Sequence, residues 1–338
     1  MTDPPPQPTR DLRGRPLRDL RISVTDRCNF RCRYCMPAEV FGPGYRFLPR
    51  EEILSFEEIH RISRIATKLG VRKIRLTGGE PLLRRGLADL VAMLATVDGI
   101  DDIALTTNGV LLAHHAEALA LAGLSRVTVS LDALDPTVFS RMNGVGAKVD
   151  RVLAGISTAA NFGLPVKVNC VVQKDVNESE ILPLVDWAKD SGVTLRFIEF
   201  MDVGETNGWS TEHVVPAAEI LDRIRSRHPL VALPPNHTGE TATRWRHADS
   251  DAEIGVIASV TAPFCQSCSR LRLSADGHAF TCLFNPTGHD LRPLLRGGAP
   301  DSTLAAAFAG IWSERTDRYS ELRGETTQAK AEMSYLGG

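Results

Sequence analysis

Short runs of β-branched and aliphatic residues, each followed by a stretch of helical periodicity, recur along the first two thirds of this 338-residue chain. They lie at residues 20–24, 73–77, 103–107, 126–131, 166–172 and 194–200. Between the first two, Ile59, Ile62, Ile65, Ala66 and Leu69 fall on one helical face, and Ser55 and Glu58 have the spacing of a capping box. Strand-plus-helix units in series build a parallel sheet with helices outside it. Six such units are too few for the closed eight-unit barrel. The expected fold is therefore α/β, an incomplete (β/α)6 TIM-type barrel open on one side, with its chemistry at the C-terminal ends of the strands. Hydrophobic residues make up 43% of the chain, enough for a substantial core.

The alternation fades after about residue 230. Residues 234–251, rich in proline, histidine, threonine and charge, read as a long loop or domain junction. A strand at 254–260, a hairpin over 270–283 turning at Asp276-Gly277 and a helix at 302–315 then form a small α+β unit that covers the open side. The expected organisation is a disordered proline-rich extension at 1–18, the barrel at 19–233 and a C-terminal domain at 234–338. No apolar run is long enough to span a bilayer, and the N-terminus lacks the apolar centre of a signal peptide. A formal charge of -2 argues against a general nucleic-acid surface. A cytoplasmic location is expected.

Six of the seven cysteines form two groups, Cys28, Cys32 and Cys35, then Cys265, Cys268 and Cys282. In a reducing compartment such groups are metal ligands rather than disulfides. Three thiolates from one stretch suit a cubane iron–sulfur cluster, which normally takes four ligands. Each group would then leave one iron open to a reactant. A zinc site is the alternative. No histidine lies in the first loop, but His278 sits between Cys268 and Cys282, and spacing leaves a tetrahedral Cys3His site open there. Cys170, in the alternating run at 166–172, reads as a buried thiol. Arg270 and Arg272 alternate on a strand beside the second group, where two guanidinium forks suit phosphate or purine acceptors. Thr77-Gly78-Gly79-Glu80-Pro81 follows a strand, so paired glycines can admit a ligand to the backbone and Glu80 can hold an ammonium group. Thr106-Thr107-Asn108-Gly109 and Ser130-Leu131-Asp132 offer short polar groups at two further strand ends.

The C-x3-C-x2-C loop from Cys28 to Cys35, with Met36-Pro37 after it and Thr77 to Pro81 further on, resembles that of the radical S-adenosylmethionine (SAM) enzymes. From about Leu20 to the terminal Gly337-Gly338, the chain resembles the GTP 3′,8-cyclase family of molybdenum-cofactor biosynthesis. That resemblance also rests on Arg196-Phe197-Ile198-Glu199-Phe200-Met201, on the Cys265 to Cys282 region and on the Gly-Gly end. It implies that Cys28, Cys32 and Cys35 hold a [4Fe-4S] cluster whose open iron binds SAM, with Tyr34, Gly79, Ser130 and Met201 contacting SAM. It implies that Cys265, Cys268 and Cys282 hold a second [4Fe-4S] cluster facing guanine. Arg21, Arg75, Thr106, Lys167, Arg270 and Arg272 would contact GTP, with Lys73 and Arg196 as further candidates for the triphosphate. Gly337 and Gly338 would reach into the active site and support turnover.

The implied activity is that of a radical SAM lyase. It makes (8S)-3′,8-cyclo-7,8-dihydroguanosine 5′-triphosphate from GTP after hydrogen abstraction from C3′. The implied partners are a flavodoxin- or ferredoxin-like electron donor and a downstream cyclic pyranopterin monophosphate synthase, with a homodimer allowed and neither nucleic acid nor membrane involved. Two rivals stand beside this reading: a peptide-modifying radical SAM enzyme with an auxiliary cluster, and a zinc-binding regulatory or nucleic-acid module.

Overall fold

The protein is described here by a computed structural model covering residues 7–325 and 329–337. Six strands appear within one residue of their expected ends: β1 (Asp19–Ser23), β2 (Lys73–Thr77), β3 (Asp102–Thr107), β4 (Arg126–Ser130), β5 (Val166–Val172) and β6 (Thr194–Glu199). They are parallel and adjacent in chain order. The intervening helices are α1 (Phe56–Lys68), α2 (Leu87–Ala95), α3 (Leu112–Leu121), α4 (Pro136–Asn143), α5 (Val149–Asn161) and α6 (Ile181–Ser191). The capping box forms as its spacing requires: Glu58 N donates to Ser55 Oγ at 3.1 Å, and Ser55 N to Glu58 Oε2 at 2.7 Å. Alternation then sorts the strand side chains. Leu20 and Ile22 join Ile59, Ile62 and Ile65 in one continuous core, and burying each such side chain contributes about 1.5–3 kcal/mol.

Downstream of α7 (Ala217–Arg225), the chain extends the same sheet instead of building another. β7 (Leu230–Leu233), β8 (Thr243–His247) and β9 (Glu253–Ile257) form an antiparallel meander, and β9 pairs in parallel with β6. β10 (Arg270–Leu273) pairs in parallel with β1 on the opposite flank, followed by β11 (His278–Phe280) and β12 (His289–Asp290). Among the described residues the sheet thus has twelve strands and ends at β12 and β7. Residues from β1 to β6, β9 and β10 all line one cavity, so the sheet curls around it. The chain closes with α8 (Arg292–Arg296), α9 (Asp301–Ser313) and α10 (Met333–Leu336). Among the described residues no helix is long and apolar enough to cross a membrane.

Two expectations are corrected. Residues 234–251 are not a single long loop, because the Thr243-Arg244-Trp245-Arg246-His247 alternation forms β8, with Arg244 Nη2 gripping both carboxylate oxygens of Glu253 on β9 at 2.7 and 2.8 Å. The expected disorder before residue 19 does not extend over residues 7–18. Leu17 is fully buried, Arg10 bridges Pro16, and Arg15 donates to the carbonyls of Cys265 and Asp317. Long-range partners outweigh the proline-rich composition there; residues 1–6 lie outside the described set.

Candidate functional site

After β1 the chain passes beneath the β2 end before reaching the first cysteines. Gly79 N donates to Thr25 O and Glu80 N to Arg27 O, both at 2.8 Å. A Cβ at Gly78 would lie 2.4 Å from Thr25 O, and one at Gly79 would lie 2.3 Å from Arg27 O. The paired glycines therefore admit the chain's own 25–27 segment, which positions the Cys28 loop.

The Glu80 carboxylate accepts from Leu82 N at 3.0 Å, Thr107 Oγ1 at 2.7 Å and Asn108 N at 2.7 Å, and Glu80 is not among the cavity-lining residues. Burial holds its carboxyl up at about 7. Glu80 ties the ends of β2 and β3 together. Glu199 acts likewise at the β6 end, accepting from Ala217 N and Val260 N at 2.7 Å and from Thr261 N at 2.9 Å. Replacing Glu80 by alanine would strand two buried N–H groups and a hydroxyl. The expected loss of stability is about 3 kcal/mol or more, read as a lowered midpoint in chemical denaturation; an unchanged midpoint would contradict this role.

Both cysteine groups line the curled sheet's cavity, and all six are free thiols. Their electrostatics differ. Burial pushes the Cys28 thiol up to about 11, and raises Cys32 and Cys35 as well. Burial also pushes Cys282 up to about 11. For Cys268 burial acts the same way, but the Arg270 and Arg315 guanidiniums outweigh it and bring the thiol down to about 6. His278 is engaged elsewhere, with Nδ1 3.2 Å from Asp276 Oδ1 and 3.3 Å from the Tyr335 hydroxyl, and it does not line the cavity. Among the described residues, no three His, Cys, Asp or Glu side chains are gathered for a single metal ion. Three thiols per group, with no nitrogen ligand, match the donor set of an iron–sulfur cluster better than a Cys3His zinc site.

A row of cations faces the same cavity. Strand pairing sets Arg272, Arg21 and Arg75 side by side on β10, β1 and β2. Neighbouring strands are about 4.8 Å apart, and like charges directly opposite destabilise a sheet. One layer toward the strands' N-terminal ends the charges alternate: Asp19 pairs in register with Arg270 and Lys73, Lys73 with Asp102, and Asp102 forms an ion pair with Arg126. In that layer Lys73 and Arg126 are ion-paired with Asp19 and Asp102, while Arg270 turns to Cys268 Sγ. In the upper row, among the described residues, neither Arg21, Arg75, Arg272 nor the nearby Arg196 is ion-paired with a carboxylate. Arg75 Nη1 instead donates to Thr106 Oγ1 at 2.9 Å and Thr128 Oγ1 at 3.2 Å, and Arg196 Nε to Asn169 Oδ1 at 2.9 Å. Burial, then mutual repulsion, disfavours the charged forms. Arg21 and Arg75 are pushed down to about 9, Arg196 to about 10, and Arg272 well below its usual value.

Tyr34, Gly79, Ser130, Met201, Thr106 and Arg270 also line the cavity. The Tyr34 hydroxyl donates to Asp132 Oδ2 at 2.7 Å, and Asp132 Oδ1 accepts from Val171 N at 2.9 Å. Lys73 and Lys167 are not cavity-lining residues. Lys73 sits in the alternating layer, 3.7 Å from both Asp19 and Asp102, and Lys167 pairs in register with Thr128 and Thr194. The tail arrives over β2: Gly337 O accepts from Arg272 Nη1 at 3.2 Å, and Tyr335 donates to Asp276 at 2.7 Å. Gly338 lies outside the described residues. Asn108, expected as a polar group at a strand end, donates its amide to Asn29 Oδ1 at 2.7 Å; sequence reasoning passed over Arg315, which donates to the Cys268 carbonyl at 2.8 Å. No local spacing marks Arg315. Cys170 is buried, as expected.

A parallel α/β sheet with a C-x3-C-x2-C loop after its first strand defines a radical SAM protein. The family model described as Radical SAM superfamily matches residues 22–188, and that described as Molybdenum Cofactor Synthesis C matches residues 193–321. The fold is shared with Streptococcus suis SuiB bound to S-adenosylmethionine, at a TM-score of 0.63 and 18% identity, over 91% of this chain and 70% of that one. The GTP 3′,8-cyclase of Acidothermus cellulolyticus is 54% identical over 98% of this chain and 99% of its own length. Those of Xanthomonas campestris pv. campestris and Staphylococcus epidermidis are 51% and 50% identical, over 98% and 97% of this chain and 98% of each relative. The chain belongs to the GTP 3′,8-cyclase family.

Proposed function

We propose that this chain is a lyase that converts GTP to (8S)-3′,8-cyclo-7,8-dihydroguanosine 5′-triphosphate in the first step of molybdenum-cofactor biosynthesis. The observation that carries the reading is the in-register row Arg272, Arg21 and Arg75, unneutralised and facing the cavity that both cysteine groups line. A triphosphate supplies the negative charge that such a row lacks. Cys28, Cys32 and Cys35 would hold the cluster that binds SAM, with Tyr34, Gly79, Ser130 and Met201 around SAM. Cys265, Cys268 and Cys282 would hold the second [4Fe-4S] cluster. When bound, the first cluster supplies the electron that cleaves SAM to the radical that takes hydrogen from C3′ of GTP.

The chain's own contribution is positioning. Arg21, Arg75, Arg270 and Arg272, with Thr106 orienting Arg75, anchor the triphosphate and leave the ribose between the two cysteine groups. Lys167, in register with Thr128, is a further cation of this GTP site. In this scheme residues 19–233 carry the SAM cluster and part of the GTP site, and residues 234–338 carry the second cluster and the rest of the GTP site. We assign it to the cytoplasm, with a flavodoxin- or ferredoxin-like donor and a cyclic pyranopterin monophosphate synthase acting next; a homodimer is compatible with this scheme.

The test is anaerobic reconstitution followed by incubation with SAM, dithionite and GTP. About eight irons per chain, GTP-dependent 5′-deoxyadenosine and a cyclised nucleotide are expected. SAM cleavage that ignores GTP and yields no cyclised nucleotide would overturn the reading, in favour of another two-cluster radical SAM activity.

The tail gives a separate prediction. A Cβ on Gly337, whose φ is +71°, would lie 2.3 Å from Thr77 Cγ2. Gly337→Val is therefore expected to expel the tail and slow cyclised-nucleotide formation roughly tenfold or more, about 1.4 kcal/mol, with SAM affinity preserved. Equal product formation by the variant would remove Gly337 from turnover.

A further inference from the structure

The second cysteine group sits in a buried charge network: Arg270, assigned above to GTP, donates Nη2 to Cys268 Sγ at 3.2 Å, and a second guanidinium with no such assignment donates to the same sulfur. Arg315 follows α9 and is 4% exposed. Its Nη1 donates to Cys268 O at 2.8 Å, its Nη2 to Cys268 Sγ at 3.3 Å and its Nε to Asp317 Oδ2 at 3.3 Å. The guanidinium stacks on Trp312 at 4.6 Å, and the Trp312 indole donates to Arg15 O at 3.1 Å. Arg15, 2% exposed, pairs with Asp11 at 2.5 Å and donates to Cys265 O at 2.9 Å, while Asp11 also lies 3.6 Å from Arg315. The first cysteine group has no counterpart. Its Cys28 Sγ accepts from Phe30 N at 3.4 Å, and among the described residues no guanidinium donates to the sulfur of Cys28, Cys32 or Cys35.

We propose that Arg315 is a positioning residue for the second cluster: it fixes the Cys268 sulfur and, balanced by Asp317, sets the potential at which that cluster accepts an electron. This rests on the two-cluster reading above. One electron adds one negative charge to a cluster, and a buried guanidinium bonded to a ligand sulfur stabilises the reduced form. Hydrogen bonds and charge near the sulfurs are among the factors that tune such potentials. The second cluster is accordingly the easier of the two to reduce. Arg15 and Asp11 tie the N-terminal turn into the same network, which accounts for the order of residues 11–17.

The test uses the full-length chain and its Arg315→Gln, Arg315→Lys and Asp317→Asn variants, all reconstituted anaerobically. Iron content is measured, and the second cluster is titrated reductively by electron paramagnetic resonance with Cys28, Cys32 and Cys35 replaced by alanine to silence the first. Arg315→Gln is expected to lower the reduction equilibrium constant at least tenfold, about 59 mV for a one-electron couple. Arg315→Lys keeps the charge and should shift it less, while Asp317→Asn should shift it the opposite way. Unchanged potentials in cluster-bearing variants overturn the proposal. So does loss of the cluster from Arg315→Gln with an unchanged potential in Asp317→Asn, which would leave Arg315 a purely structural role. Absence of iron at the second group in the parent chain overturns the two-cluster reading itself, and this inference with it.

Discussion

Arg21→Met is expected to weaken GTP binding at least about 100-fold, or about 2.7 kcal/mol, while leaving the ligand-free protein as stable as before or more so. The two halves of that prediction have one cause. Arg21 is the middle member of the row, flanked in register by Arg272 and Arg75, and burial together with Arg270 and Arg75 disfavours its charge. No hydrogen bond or ion pair to Arg21 is found among the described residues, so methionine forfeits little in the empty cavity. It also removes a like-charge repulsion and a desolvation penalty. With GTP present, the same substitution leaves triphosphate charge without its buried partner, a loss of 2–5 kcal/mol in comparable sites. Calorimetric titration and thermal melting of one preparation separate the two effects. Unchanged affinity, or a matching drop in ligand-free stability, would show that the row serves the fold and not an anion.

Cys35→Ser and Cys282→Ser should fail in different ways, each losing roughly four of eight irons. Cys35→Ser is expected to abolish 5′-deoxyadenosine formation, a fall of at least about 1,000-fold or 4 kcal/mol, while GTP still binds through the arginine row and the second cluster. Cys282→Ser should retain slow SAM cleavage, lose cyclised nucleotide and bind GTP more weakly. The basis for the separation is the chain itself. The first group is carried by a loop after β1 held under Gly78 and Gly79, while the second group flanks β10 and is held by Arg15 and Arg315. If either serine variant abolished both SAM cleavage and GTP binding in a folded protein, the division of tasks between the groups would be wrong.

Most of the parallel sheet was legible because its signals are local. A period-two run such as Lys73-Ile74-Arg75-Leu76-Thr77 buries Ile74 and Leu76 against helices whatever follows, and Ser55 and Glu58 cap α1 with contacts three residues apart. The cysteine loop was legible for the same reason. Three thiols within eight residues are held near one another by the covalent chain. Where partners are remote, local reading falls short. The partners of Glu80, Thr107 and Asn108, lie at the end of β3, beyond the reach of local spacing. Residues 7–18 looked disordered because Cys265, Trp312 and Asp317 are about 250 to 300 residues away. Lys73 looked like a phosphate ligand because the carboxylates of Asp19 and Asp102 come from neighbouring strands.

The sequence by itself determined the strand and helix series, the two cysteine groups and, through their resemblance, the family. Short-range spacing suffices for all of these. The tertiary structure alone decided which charges are neutralised. Arg270, Arg272, Arg21, Arg75 and Lys73 look alike along the chain. Only cross-strand register sets some of them beside aspartates and leaves Arg272, Arg21 and Arg75 beside one another, and like charges held together in a secluded cavity call for an anion.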